Sequence, residues 1–160
     1  MKLLSFLVGM MLSFLVCSDE LSEYVKIDAH INSVCNKHCV STSQLMTTVD
    51  RLENQYRIHP AMLLAIIYTE SRFNARAKNT THGLSVGLAQ IQVRWHRDKL
   101  NGRDPYNVDV NLEVASMIYS QCLLKHKGSV LKALSCYSGY QSNYAKLVYA
   151  RYKEYRSYFL

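Results

Sequence analysis

The chain has 160 residues, enough for a single domain with a core of its own, and a net charge of +7 that suits an anionic partner. Ordinary apolar content, with six glycines and two prolines, excludes a low-complexity or largely disordered chain. No basic arm, zinc-finger spacing or RNA-binding motif is present, which argues against nucleic acid and leaves cell-wall polymers and membrane surfaces as anionic partners.

Residues 1–18 read as a secretory signal peptide. Met1-Lys2 is a short basic start, and Leu3 to Val16 is apolar apart from Ser5, Gly9 and Ser13, a run too short for a comfortable membrane span. Small residues precede Asp19, so cleavage is expected after Ser18. Lipidation of Cys17 is disfavoured by the bulk of Val16 before it, and an uncleaved anchor is a third option. Cleavage would remove Lys2 and no acid, leaving 18 basic against 12 acidic residues and a net charge of +6.

Four cysteines then remain, Cys35, Cys39, Cys122 and Cys136, and an even number in an exported chain implies two disulfides. Three pairings exist on paper. The run from Cys35 to Cys39, with His38 inside it, lacks the paired spacing of a zinc site and the order of a haem attachment site, so neither a metal nor another cofactor is expected. Residues 19–41 form an irregular or short-helical N-terminal extension. Ser41 to Ser43 offer helix caps, and Leu45, Val49, Leu52 and Tyr56 follow at helical spacing, so an amphipathic helix runs to about Arg57.

The next helix opens on Pro60, a residue suited to the first turn, and carries an almost unbroken apolar run from Ala61 to Tyr68. Such a helix has little polar surface to offer water and belongs in the core. It ends on Glu70, the only acid between Glu53 and Asp98. The negative end of the macrodipole and apolar neighbours would both raise the pKa of an acid placed there, as a proton donor requires. Taken alone, a solvated or capping glutamate remains the commoner explanation.

Beyond Glu70 the chain turns polar. Gly83 and Gly87 permit close backbone approach, and no strand pair is evident. Trp95, the sole tryptophan, could stack on a sugar ring, but a lone tryptophan is more often core or rim packing. Asn101-Gly102 and Asp104-Pro105 are turn signals. A long helix is expected from about Val110 to Lys127, capped by Asp109 or Asn111 and ended by Gly128. Ser129 then caps a helix from Val130 to about Tyr137. An antiparallel hairpin turning at Gly128 would bring Cys122 and Cys136 to similar depth, which favours that pair and leaves Cys35–Cys39 as a local clip. After a loop over 139–143, a final helix runs from about Tyr144 to the end. Its tyrosines, at helical spacing, read as half-buried packing rather than a carbohydrate site.

Three separated motifs line up: Glu70-Ser71 followed by Phe73-Asn74, then Gly87-Leu88-Ala89-Gln90-Ile91, then Cys136-Tyr137-Ser138-Gly139. Together, over about residues 43–150, they resemble the SLT-type lytic transglycosylases. The resemblance implies a predominantly all-α, lysozyme-like helical domain with a substrate cleft, over residues 42–160. It implies cleavage of the β-1,4 bond between N-acetylmuramic acid and N-acetylglucosamine in peptidoglycan without water, leaving a 1,6-anhydro sugar. Glu70 would be the single acid and base. Gln90 would line the site, Tyr137 would bring its hydroxyl close to the acid, and Ser85 and Gln92 would contact the substrate. Ala89, Cys136 and Ser138 replace the usual methionine, alanine and asparagine. The compact exported form resembles members that serve secretion, conjugation or pilus machines, so a periplasmic monomer acting on glycan strands is expected. A goose-type lysozyme-like muramidase and a non-catalytic wall-binding module are the alternatives.

Overall fold

A computed structural model describes residues 21–81 and 83–160; the expected leader over 1–18, with Cys17, lies outside the described residues. The architecture is predominantly helical, as expected. Residues 21–34 are helical (α1). There follow α2 (Thr42–Tyr56), α3 (Pro60–Ser71), α4 (Arg97–Leu100), α5 (Val108–Lys125), α6 (Val130–Tyr137) and α7 (Tyr144–Arg156), closed by a 3₁₀ turn over Ser157–Phe159. Among the described residues no helix is long and apolar enough to cross a membrane.

Burial explains the order of the helices. α2 buries Leu45, Thr48, Val49 and Leu52, the stripe that a 3.6-residue period presents to one side. α3 buries every residue from Pro60 to Ile67, so it is enclosed on all faces. It packs chiefly on α7, while α5 packs on α6 and α2. His59 Nδ1 accepts from the backbone N–H of Ala61 (3.2 Å) and caps the start of α3. At the other end Arg72 and Phe73 both adopt left-handed backbone, with φ of 49° and 63°. Two consecutive non-glycine residues in that region are strained, by about 1 kcal/mol or more each. The reversal drives the fully buried Phe73 ring into the core beside Tyr68 and Tyr155.

The N-terminal segment is part of this core. Ile27, Ile31, Cys35 and Val40 are buried. The Val40 N–H donates to the Phe73 carbonyl (3.0 Å) and the Ala75 N–H to the His38 carbonyl (2.9 Å), stitching the segment to the chain that leaves α3. Cys35 and Cys39 form the local disulfide beside this seam. Cys122 and Cys136 form the second, with Cα atoms 5.8 Å apart across the α5–α6 hairpin, as the hairpin argument expects.

Four features depart from expectation. A small antiparallel sheet is present, β1 (Lys78–Asn79), β2 (Ser85–Val86) and β3 (Ile91–Gln92) in that order. Two-residue strands are too short to show an alternating pattern. α4, a single turn, is likewise invisible to periodicity; it buries Leu100. The cap of α5 is Asn107, which accepts from the Val110 N–H (3.1 Å), rather than Asp109 or Asn111. Ser129 holds the N-cap position of α6 but makes no side-chain capping bond.

The disulfides should contribute by loop length. Replacing Cys122 and Cys136 together by serine should cost about 3 kcal/mol, and replacing Cys35 and Cys39 about 2 kcal/mol, in chemical denaturation, since the first closes the longer loop.

Candidate active site

Glu70 stands in the last turn of α3 and lines a cleft of about 590 Å³. A second groove of about 600 Å³ shares Thr69, Glu70, Asn79 and Gln90 with it, so two arms meet at this acid. Among the described residues no other carboxylate lines either arm. The apolar body of α3 places Glu70 where it is largely removed from water. Desolvation raises its pKa to about 7, against an ordinary 4.5, and a hydrogen bond from Tyr144 partly offsets the rise.

That hydrogen bond is short: the Tyr144 hydroxyl donates to Glu70 Oε1 at 2.6 Å. Tyr144 is the first residue of α7 and is buried. Its own pKa is pushed far up, by burial first and by the neighbouring Glu70 next, so it stays a donor. The Tyr137 ring stacks on Tyr144, with centroids 6.2 Å apart. The Tyr137 hydroxyl does not spend its bond on the acid; it donates to the Ala89 carbonyl (3.1 Å).

Ala89 is held from the other side as well. The carboxamide of Asn111, on α5 and 1% exposed, accepts from the Ala89 N–H (2.8 Å). Its Nδ2 donates to the carbonyls of Val86 (2.9 Å) and Pro105 (2.7 Å). Gly87 makes room for this: its φ is +77°, and a Cβ there would collide with Asn111 Nδ2 and lie 2.8 Å from Cγ. The loop so clamped delivers Gln90 to the cleft with φ of 47° and its Nε2 donating to the Gly87 carbonyl (3.0 Å).

The residues expected at the site converge. Glu70, Gln90, Tyr137, Ser85 and Gln92 all line the first arm. Ser85 and Gln92 face each other in the β2–β3 register. The three motifs, far apart in the chain, therefore meet around one acid. The family model described as the transglycosylase SLT domain matches residues 47–159.

The chain belongs to the transglycosylase SLT family. Membership makes it a lytic-transglycosylase-type domain that acts on peptidoglycan. No solved structure matches the chain. Among the described residues no group of His, Cys, Asp and Glu could hold a metal ion, and Cys35 and Cys39 are consumed by their disulfide.

The cleft and its frame also contain residues that the motifs do not include. Tyr144 carries no motif signal; its place in the α7 stripe makes it look like packing. Asn111 reads as a helix cap, and nothing local reveals that it is a buried clamp. His96 lines the first arm, and its pKa is lowered by desolvation and then by Lys99, so it is neutral at pH 7. Trp95 is no core residue: it lines the same arm at 66% exposure.

Two stability measurements follow from this geometry. The folded protein holds the Glu70 proton to about pH 7, whereas the unfolded chain releases it near 4.5. Stability from this group is therefore fully present below pH 4.5 and is lost as pH rises through 7, by about 3 kcal/mol. Glu70→Gln, which keeps an acceptor for Tyr144, should raise the denaturation midpoint at pH 8 and leave it nearly unchanged at pH 4. Asn111→Ala should cost about 3 kcal/mol at any pH by stranding the buried Ala89 N–H and Val86 carbonyl.

Proposed function

We propose that this chain is a peptidoglycan lytic transglycosylase in which Glu70 acts first as acid and then as base on the bond between N-acetylmuramic acid and N-acetylglucosamine. The observation that carries the reading is a buried glutamate, protonated up to about pH 7, in a cleft lined by no second carboxylate among the described residues. Hydrolysis with a paired base or nucleophile needs that second carboxylate within about 5–9.5 Å. A lone acid suits a nucleophile supplied by the substrate.

The steps balance without water. Protonated Glu70 gives its proton to the glycosidic oxygen as the bond to C1 of the muramic sugar breaks, assisted by the sugar's N-acetyl group. The Glu70 carboxylate then takes the proton of the C6 hydroxyl as O6 bonds to C1, closing the 1,6-anhydro ring and restoring the acid. Holding the C6 hydroxyl against C1 lets it outcompete water. Tyr144 is a positioning residue: its 2.6 Å bond orients the carboxyl and stabilises the charged form between the two proton transfers. Gln90, Ser85 and Gln92 hold the substrate, and Tyr137 forms a wall and secures the loop beneath Gln90. The basic start and apolar run of residues 1–18 support export to the periplasm, and the net positive charge supports an anionic wall polymer as partner.

Mass spectrometry of digested sacculi tests the reaction. Wild-type protein should release anhydro-muropeptides, and Glu70→Gln should lower the rate by about 10³-fold or more. Reducing ends in place of anhydro ends would assign a muramidase, and no digestion despite binding to sacculi would assign a binding module. The rate should also fall about tenfold per pH unit above about 7, as the acid form is lost. Tyr144→Phe should move that alkaline limb to higher pH, because the bond it removes lowers the Glu70 pKa, and should slow turnover by about tenfold. A purely structural Tyr144 would change the rate without moving the limb.

A further inference from the structure

We propose that the exposed indole of Trp95 is a stacking platform for an N-acetylhexosamine ring of the glycan strand, forming an outer saccharide subsite in the first arm of the cleft. The proposal rests on the glycan-cleaving reading above and extends it away from the reacting bond.

Tryptophan is usually among the more buried side chains of a domain, since it has the largest apolar surface to hide. Here the sole tryptophan is 66% exposed, while Phe73, Tyr119 and Tyr155 are almost fully buried. The exposure is not that of a slack tail. The Trp95 N–H donates to the Gln92 carbonyl (3.1 Å), closing a turn directly after β3, and Gln92 pairs with Ser85 in the sheet. The Arg94 guanidinium lies 5.2 Å from the ring centroid and further restrains it. A rigid backbone thus presents the ring to the cleft at little conformational cost on binding.

The surroundings fit a sugar. Trp95 shares the arm with Asn79, Gln92 and Gln141, whose carboxamides both donate and accept, and with a neutral His96. A pyranose offers an apolar face of C–H bonds for the indole and a rim of hydroxyl and N-acetyl groups for the amides. An apolar floor with a few polar groups at its edge is the usual chemistry of a small-molecule subsite. A packing role would bury the ring.

The single tryptophan makes the test direct. The full chain carrying Glu70→Gln, which binds without turnover, is titrated with soluble strands of alternating N-acetylglucosamine and N-acetylmuramic acid freed of their peptides by an amidase. Emission and calorimetry are recorded together. The expected result is a saturable blue shift or quench whose midpoint equals the calorimetric Kd, with Trp95→Ala weakening that Kd about tenfold and Trp95→Phe weakening it less. Because the ring is exposed, both variants should keep the parent denaturation midpoint. Calorimetric binding with unchanged emission, or an unchanged Kd in Trp95→Ala, overturns the subsite and leaves the catalytic reading standing. No calorimetric binding at all overturns the subsite together with the glycan reading on which it rests.

Discussion

The contact on which the site depends is the hydrogen bond from Tyr144 to Glu70. Two opposed effects meet in it. Burial at the end of an apolar helix drives the carboxyl toward its neutral form, while a short bond from a phenol stabilises the anion. Burial is the larger, and the acid comes to rest near pH 7. A carboxyl that titrates there is able both to give and to take a proton near neutral pH. The bond also joins α3 to α7, which pack extensively on each other. The same packing that hides the acid therefore brings its partner.

Around that contact the domain builds a frame from the backbone of one loop. Asn111 and Tyr137 grip Ala89 from opposite sides, through its N–H and its carbonyl. Gly87 is needed because the Asn111 carboxamide occupies the space of a Cβ. Gln90 is held in left-handed backbone as a consequence. The stack of Tyr137 on Tyr144 ties this frame to the acid, so α5, α6, α7 and the loop converge on one carboxyl. The disulfide between Cys122 and Cys136 fixes the hairpin from which Asn111 and Tyr137 project.

The strained end of α3 has a similar logic. Arg72 and Phe73 reverse the chain immediately after the acid, and the buried Phe73 ring offsets the backbone cost. The N-terminal segment bonds to the backbone at this reversal, and the ring nitrogen of His30 pairs with the Tyr155 hydroxyl at 2.7 Å. The chain is thereby held at Phe73 and Ala75, and Ala77 to Thr81 beyond them line the second arm of the cleft.

Much of this was legible in the residues alone. The apolar run of α3, the Pro60 start, the stripe of α2 and the α6 boundaries follow from local periodicity and capping, which act over a few residues. The solitary Glu70 and the three motifs point to residues that the fold does bring into one cleft. The hairpin geometry identified the Cys122–Cys136 pair. What only the tertiary structure decided is which polar atoms meet. Tyr144 falls in the stripe of the last helix and looks like packing, and Asn111 near the start of α5 looks like a cap, until the distant partner of each is known. Trp95 posed the reverse problem, because composition cannot tell a ring that is hidden from one that is shown. The short strands and α4 carry too few residues to reveal a period. Helix and core are written in local spacing, whereas the tuning of one carboxyl depends on residues 74 positions apart brought within 2.6 Å.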